Sequence, residues 1–386
     1  MKTLGASLAL WLAAAVAGGC APSSRPGPVS LAAPATLKAA FQGAFLVGAA
    51  LNAAQFSGQD TAGAALAAAQ FNAISPENTL KWEAVHPRPG QYDFAAADRY
   101  VAFGERHGMF IVGHTLVWHN QVPRWVFEDT SGNPVGRDSL IARMRDHILT
   151  VVGRYRGRVG GWDVVNEALN DDGSLRRSPW LTIIGPEFVT LAFRFAHEAD
   201  PGAQLYYNDY SLENAPRRQG AVDLIRKLQA AGVPVTGIGI QGHDGMDWPS
   251  AAQEDSAIAA FAALGVKVMI TELDVDVLPR AVRQMGADIR LSAAARPELN
   301  PYPDSLPDAV QQALARRYAE LFGVFYRHRG EVSRVTLWGV TDRDSWKNNW
   351  PVPGRTNYPL LFGRDGRPKP ALTAVLAVAR GGATAP

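Results

Sequence analysis

Eight times along the chain a short apolar, β-prone run gives way to a helical stretch, and this alternation limits the fold more than any other feature. The runs are Phe45–Leu51, Phe71–Ser75, Met109–Gly113, Val159–Val165, Gln204–Tyr207, Val235–Ile240, Val266–Thr271 and Val335–Trp338. The helical stretches are Gln59–Gln70, Ala95–His107, Ser139–Tyr155, Pro186–Ala199, Arg217–Ala231, Ala251–Leu264, Pro307–His328 and Pro370–Ala379. In Ser139–Tyr155 the positions Leu140, Met144, Ile148 and Val151 recur at the spacing of one buried helix face. Gly108, Gly232 and Gly265 supply helix stops. Strands joined by helices run parallel and bury both faces. Eight such units predict an α/β chain folded as a single (β/α)8 barrel, with its working face at the C-terminal ends of the strands. An open doubly wound sheet also alternates, but it gathers its ligand at one switch point. Here polar residues follow nearly every run.

Length and composition agree with that reading. The 386 residues suit a barrel, and a hydrophobic fraction of 47% is ample for its core. Net charge is +2 with no long Lys/Arg block, which argues against a nucleic-acid partner or a polybasic membrane patch. The single cysteine, Cys20, lies near the start. Lys2, the apolar run Leu4–Val16 and the small residues Ala17-Gly18-Gly19 before Cys20 describe an export signal of residues 1–20, too short to span a membrane. Small residues before a lone Cys resemble a bacterial lipoprotein box, so Cys20 is expected to carry the lipid. The alternative is an ordinary signal with an incidental cysteine. Residues 21–36, rich in Ala, Pro and Ser, read as a flexible tether, and 37–381 as the catalytic domain. The expected location is outside the cytoplasm: lipid-anchored at the outer membrane or in the periplasm, otherwise secreted. The expected state is a monomer.

Two glutamates break their runs in the same way. Trp162-Asp163-Val164-Val165 leads into Asn166-Glu167, and Val266 to Thr271 leads into Glu272-Leu273-Asp274. Either one alone reads as a buried ion-pair member, for instance with Lys81 or His243. Gathered on one barrel face, however, they join Glu77, Asn78, Lys81, His114, Trp118, Gln121, Tyr210, Gln241, His243, Trp338 and Trp346. Amide, imidazole and ammonium groups beside tryptophan platforms suit a sugar, with its hydroxyls and its apolar ring faces. Glycosidic cleavage requires one carboxyl to protonate the leaving oxygen and a second to attack or to activate water. Strands four and seven lie across a barrel from each other, so the pair can flank one bond. A metal site is the chemical rival, through His114, His119 and His243. His114 and His119 are five apart, however, and on an extended chain they point to opposite faces. No Gly-x-Ser-x-Gly elbow appears near a strand end, and no cofactor is expected. Trp118 and Trp338 directly follow apolar residues and also read as core, whereas Trp346 sits in a polar loop.

These segments carry a family resemblance. Pro76-Glu77-Asn78-Thr79-Leu80-Lys81-Trp82, His114-Thr115-Leu116-Val117-Trp118-His119, Trp162 to Glu167, Gly239-Ile240-Gln241-Gly242-His243, Thr271 to Asp274 and Leu337 to Asp342 resemble the signature segments of glycoside hydrolase family 10, the endo-β-1,4-xylanases. The resemblance spans about Leu37 to Ala379. It implies xylan or xylo-oligosaccharide as substrate and a retaining double displacement. It further implies Glu167 as general acid/base and Glu272 as nucleophile. Asn166 would then hydrogen-bond the sugar 2-hydroxyl, and His243, backed by Asp274, would orient the nucleophile. The residues Glu77, Asn78, Lys81, His114, Trp118, Gln121, Gln241, Trp338 and Trp346 would line the glycone side. Leu80 and Ser211 depart from the usual Met and Asn, and the second makes the side near Tyr210 the less defined one. Glu167 is expected to start protonated because the negative Glu272 is near. Two rivals remain: a related barrel β-glucanase or mannanase, which would keep both glutamates, and a non-catalytic glycan-binding lipoprotein, which would need neither.

Overall fold

Eight parallel strands close on one another in the computed structural model: β1 (Leu46–Leu51), β2 (Ala73–Pro76), β3 (Phe110–Val117), β4 (Gly161–Asn166), β5 (Gln204–Asp209), β6 (Gly237–Ile240), β7 (Lys267–Asp276) and β8 (Val332–Leu337). Each pairs with its sequence neighbours, β6 pairs with β7, and β1 pairs with β8, so the sheet has no free edge. Helices separate the strands, as the right-handed β–α–β crossover requires. The structure describes residues 36–281 and 292–381. The leader 1–20 with Cys20, nearly all of the tether and part of the long proline-rich connection after β7 lie outside the described residues.

The expected rhythm holds, and its departures are concentrated where apolar patterning stops. β3 was expected to end at Gly113 but runs to Val117, and β7 was expected to end at Thr271 but runs to Asp276. Both extensions stay largely buried, but polar residues (His114 and Thr115 in β3, Glu272 and Asp274 in β7) interrupt the apolar pattern while backbone pairing continues. β8 starts at Val332, earlier than expected, because Ser333 and Arg334 hide its first turn of pleat. Pro186 precedes its helix, which begins at Phe188. A short helix, Pro179–Ile184, was not expected. The Ser178 hydroxyl accepts from the Leu181 N–H at its start, and Pro179 occupies its first turn.

A second group of acids lies behind the β6 exit. Glu213, Asp244 and Glu254 are all buried, and five of their carboxylate oxygens lack any hydrogen-bond partner. Arg317 stands beside Asp244: it donates to Gly245 O at 3.1 Å and lies 4.0 Å from Asp244 Oδ2. Three neighbouring buried carboxylates are costly to ionise together. Burial pushes Glu213 up to about 7, and burial together with the neighbouring acids holds Asp244 and Glu254 well above the carboxylate range. A folded-state pKa above the unfolded one means that the folded chain holds its protons longer. Stability is therefore present at acid pH and lost as pH rises towards the folded value. For Glu213 that window runs from 4.5 to about 7. Asp244→Asn should consequently lose less stability than wild type between about pH 5 and about pH 8. Urea midpoints at the two pH values check this, and equal losses in both proteins would refute it.

Candidate active site

The two glutamates reach the cleft by different backbone routes. Glu167 is the residue after β4, with φ 56, and its N–H donates to Asn208 O at 2.9 Å. Glu272 is inside β7, and its N–H donates to Gln241 O at 2.7 Å. β7 shifts register against β8 between Ile270 and Leu273. Such an irregularity re-aims side chains that a regular pleat would send elsewhere.

Amide side chains join the two carboxyls. Asn208 Nδ2 donates to Glu272 Oε1 at 2.8 Å and to Asn166 Oδ1 at 2.9 Å. Gln241 Nε2 donates to Glu167 Oε1 at 3.0 Å, and Trp118 Nε1 donates to Glu167 Oε2 at 2.9 Å. Trp118 is itself fixed from behind, since its carbonyl accepts from Trp180 Nε1 at 2.7 Å. Asn208 has no room to move: a Cβ on Gly239 would lie 2.2 Å from its Oδ1.

Their protonation diverges. Burial raises the Glu167 pKa, and the charge of Asp209 adds to the rise. The Gln241 and Trp118 bonds pull it down, and Glu272 contributes least among these causes. The expected direction is therefore right, but its expected cause, repulsion from Glu272, is not the main one. Burial also works to raise Glu272, yet its pKa ends below the usual value. The His243 hydrogen bond, the pull of His114, the His243 charge and the Asn208 bond together overcome burial. His243 bridges Glu272 Oε2 at 3.1 Å and Asp274 Oδ1 at 3.0 Å. Burial opposes its charge, but Asp274 and Glu272 push its pKa to about 9, so it is an imidazolium at neutral pH. Asp274 in turn accepts from Trp346 Nε1 at 2.8 Å and lies 3.4 Å from Lys347 Nζ.

All the expected cleft residues come together. Glu77, Asn78, Lys81, His114, Trp118, Gln121, Asn166, Glu167, Tyr210, Gln241, His243, Glu272, Trp338 and Trp346 line one cleft of about 1410 Å³, and Asp274 lies buried behind His243. Lys81 Nζ donates to Asn78 Oδ1 at 3.0 Å and stands 4.9 Å over the Trp118 ring. Burial lowers its pKa, while Glu272, Glu77 and Glu167 resist. Trp118 and Trp338 are both mostly buried and both present to the cleft, so the core and platform readings meet in them. Trp346 stacks on Trp350 at 4.9 Å, Trp248 also lines the cleft, and Trp180 is core. His114 pairs with Asp163 at 2.9 Å. Among the described residues no group of three or more His, Cys, Asp or Glu is placed to hold a metal. Sequence reading missed Asn208, Asp209, Arg176 and Arg217. Asn208 was findable as a polar residue at the end of a strand. Arg176 carries no such signal, because a hairpin returns it from nine positions downstream of Glu167.

The family model "Glycosyl hydrolase family 10" matches residues 36–378. The chain is 44% identical over 332 residues to an endo-1,4-beta-xylanase A of Xylanibacter ruminicola, covering 86% of this chain and 90% of that protein. It is 43% identical to a beta-1,4-xylanase of Dictyoglomus thermophilum, covering 79% and 81%. A solved GH10 endoxylanase retrieved from a sugarcane soil metagenome superposes with a TM-score of 0.84 at 44% identity, covering 89% of this chain and 99% of that one.

Hydrogen bonds to a carboxylate favour its charged form. Trp118→Phe removes one of the two donors to Glu167, so the Glu167 pKa should rise. The basic limb of kcat/KM should then move to higher pH, as read from a pH–rate profile on a sugar substrate. A basic limb that stayed or moved to lower pH would contradict this account of the site.

Proposed function

The chain belongs to glycosyl hydrolase family 10, and we propose that it cleaves internal β-1,4-xylosidic bonds of xylan by a retaining double displacement. The observation that carries this reading is the opposite displacement of two buried carboxyls held in one amide network: Glu167 upward, Glu272 downward. Groups whose environments push their pKa values apart take the acid and base roles.

In the first step the Glu167 carboxyl gives its proton to the glycosidic oxygen. The Glu272 carboxylate attacks the anomeric carbon, the C–O bond to the leaving sugar breaks, and an ester forms. Having given up its proton, Glu167 is a carboxylate beside a neutral ester and can serve as the base. In the second step Glu167 takes a proton from water, the water oxygen attacks the anomeric carbon, and Glu272 departs as a carboxylate. The amide oxygen of Asn166 is occupied by Asn208 and Gln241. That leaves its NH2 group to donate to the 2-hydroxyl. Glu77, Asn78, Lys81 and Gln121 bind the glycone side, and Tyr210 meets the sugar beyond the cleaved bond. His243, held ionised by Asp274, keeps Glu272 oriented and charged.

Azide separates the roles. On an aryl β-xyloside with a good leaving group, Glu167→Ala should react with azide to give a β-xylosyl azide. Glu272→Ala should lose activity by about 10⁴-fold or more and yield an α-azide on rescue. Products of the opposite configuration in the two variants would exchange or refute the assignments.

A charged start, the apolar run Leu4–Val16 and the small residues before Cys20 support reading residues 1–20 as a signal and Cys20 as a lipid attachment point, which would place the enzyme where a polymer too large to enter a cell can be reached. In a bacterial host the wild-type chain should partition into detergent phase and Cys20→Ser should stay aqueous. Aqueous partition of both would leave an ordinary secretory signal in its place.

A further inference from the structure

The geometry points to Arg176 as a positioning residue that ties the acid/base to the sugar beyond the cleaved bond, an inference that rests on the xylanase reading above. After Glu167 the chain turns through a hairpin in which Leu169 bridges Leu175. The Arg176 N–H donates to Ala168 O at 2.7 Å, so the hairpin delivers Arg176 back beneath Glu167. Its Nε donates to the Glu167 carbonyl at 3.0 Å. Its Nη2 donates to Leu169 O at 2.8 Å and to the Tyr210 hydroxyl at 2.9 Å. One rigid guanidinium therefore touches the backbone of the acid/base and the side chain of the aglycone platform.

Both ends need such a hold. Glu167 sits at φ 56, a conformation that is costly for a non-glycine residue and persists only where the surroundings over-determine it. Asn208 holds its N–H, and Arg176 holds its C=O. Tyr210 is gripped twice. The Arg217 guanidinium lies 3.6 Å over its ring, and Arg176 bonds its hydroxyl. Arg217 Nη2 also donates to Leu169 O, at 2.6 Å, so the two arginines converge on a single carbonyl. A sugar pressing on Tyr210 loads the same group that sets the Glu167 backbone. A planar fork with fixed donor directions transmits that load; the single flexible ammonium of lysine does not.

A leaving group that needs no proton and places no sugar on Tyr210 isolates the effect. For Arg176→Met, kcat/KM on xylotetraose should fall by about 10²-fold, the low end of general-acid contributions. On nitrophenyl β-xylobioside it should fall by about threefold or less, because departure of nitrophenolate draws on neither contact. Arg176→Lys should lie between wild type and Met on xylotetraose. Tyr210→Phe keeps the ring and removes the hydroxyl, and it should cost about three- to tenfold on xylotetraose alone. Its effect should shrink in the Arg176→Met background, since contacting residues are not additive. Equal losses on both substrates reduce Arg176 to a structural brace and overturn the proposal, as do no loss on either or additive effects of the two substitutions. If Arg176→Met fails to fold, the substrate split in Tyr210→Phe and Arg176→Lys decides the matter. A wild type that cleaves neither substrate refutes the xylanase reading instead.

Discussion

Glu272 is 5% exposed and still carries its charge because an imidazolium stands against it. A carboxylate taken from water into protein loses several kcal/mol of effective hydration, by an order-of-magnitude estimate of about that size. His243 offsets this loss, but burial opposes the charge of His243 as well, and Asp274 on its other nitrogen does most to restore it. Asp274 in turn leans on Lys347 and on the Trp346 indole. Charge therefore alternates from the cleft outward: Glu272, His243, Asp274, Lys347. Burial opposes the charge of Glu272, His243 and Asp274 alike, and in each the neighbours in the row overcome it.

The row also joins parts of the chain that sequence keeps apart. Glu272 and Asp274 come from β7, His243 from the short segment after β6, and Trp346 and Lys347 from the loop after β8. The pairing of His243 with Asp274 is written into the backbone, since these two residues are ladder partners. Barrel closure and electrostatics thus fix the same register. A slip of one residue along β7 would turn Glu272 and Asp274 towards the opposite face and leave His243 without a partner on either side.

What the sequence made legible follows from what periodicity can report. Buried parallel strands are nearly continuous apolar runs, so eight strands could be counted and the cleft-facing residues collected from the polar positions after them. Periodicity does not report a strand that continues through polar residues, and β3 and β7 both outran their apolar runs for that reason. Nor does it report an interaction built by a hairpin, which is why Arg176 escaped notice while Tyr210, its partner, did not. The source of the Glu167 shift was misjudged for a related reason. Two acids near each other in a sequence argument suggest repulsion, whereas the fold adds burial and a second acid, Asp209, that only packing brings close.

Backbone strain is distributed in step with this chemistry. Among the described residues, the non-glycine positions with positive φ are Gln121, Glu167 and Ser211. All three line the cleft, each just beyond a strand end. Left-handed backbone turns the chain sharply out of the pleat, which leaves a side chain over the barrel mouth instead of continuing along the strand. Glycine would turn as easily but would bring no functional group. Ser211 bears on this point, because the family resemblance led us to expect asparagine there. Asparagine visits the left-handed region more readily than serine. The exchange therefore costs backbone energy next to Tyr210, on the side of the cleft where two arginines already hold the tyrosine from ring and hydroxyl. A platform whose backbone is less favourable by itself depends more on that external grip, and the grip is what reaches back to Glu167.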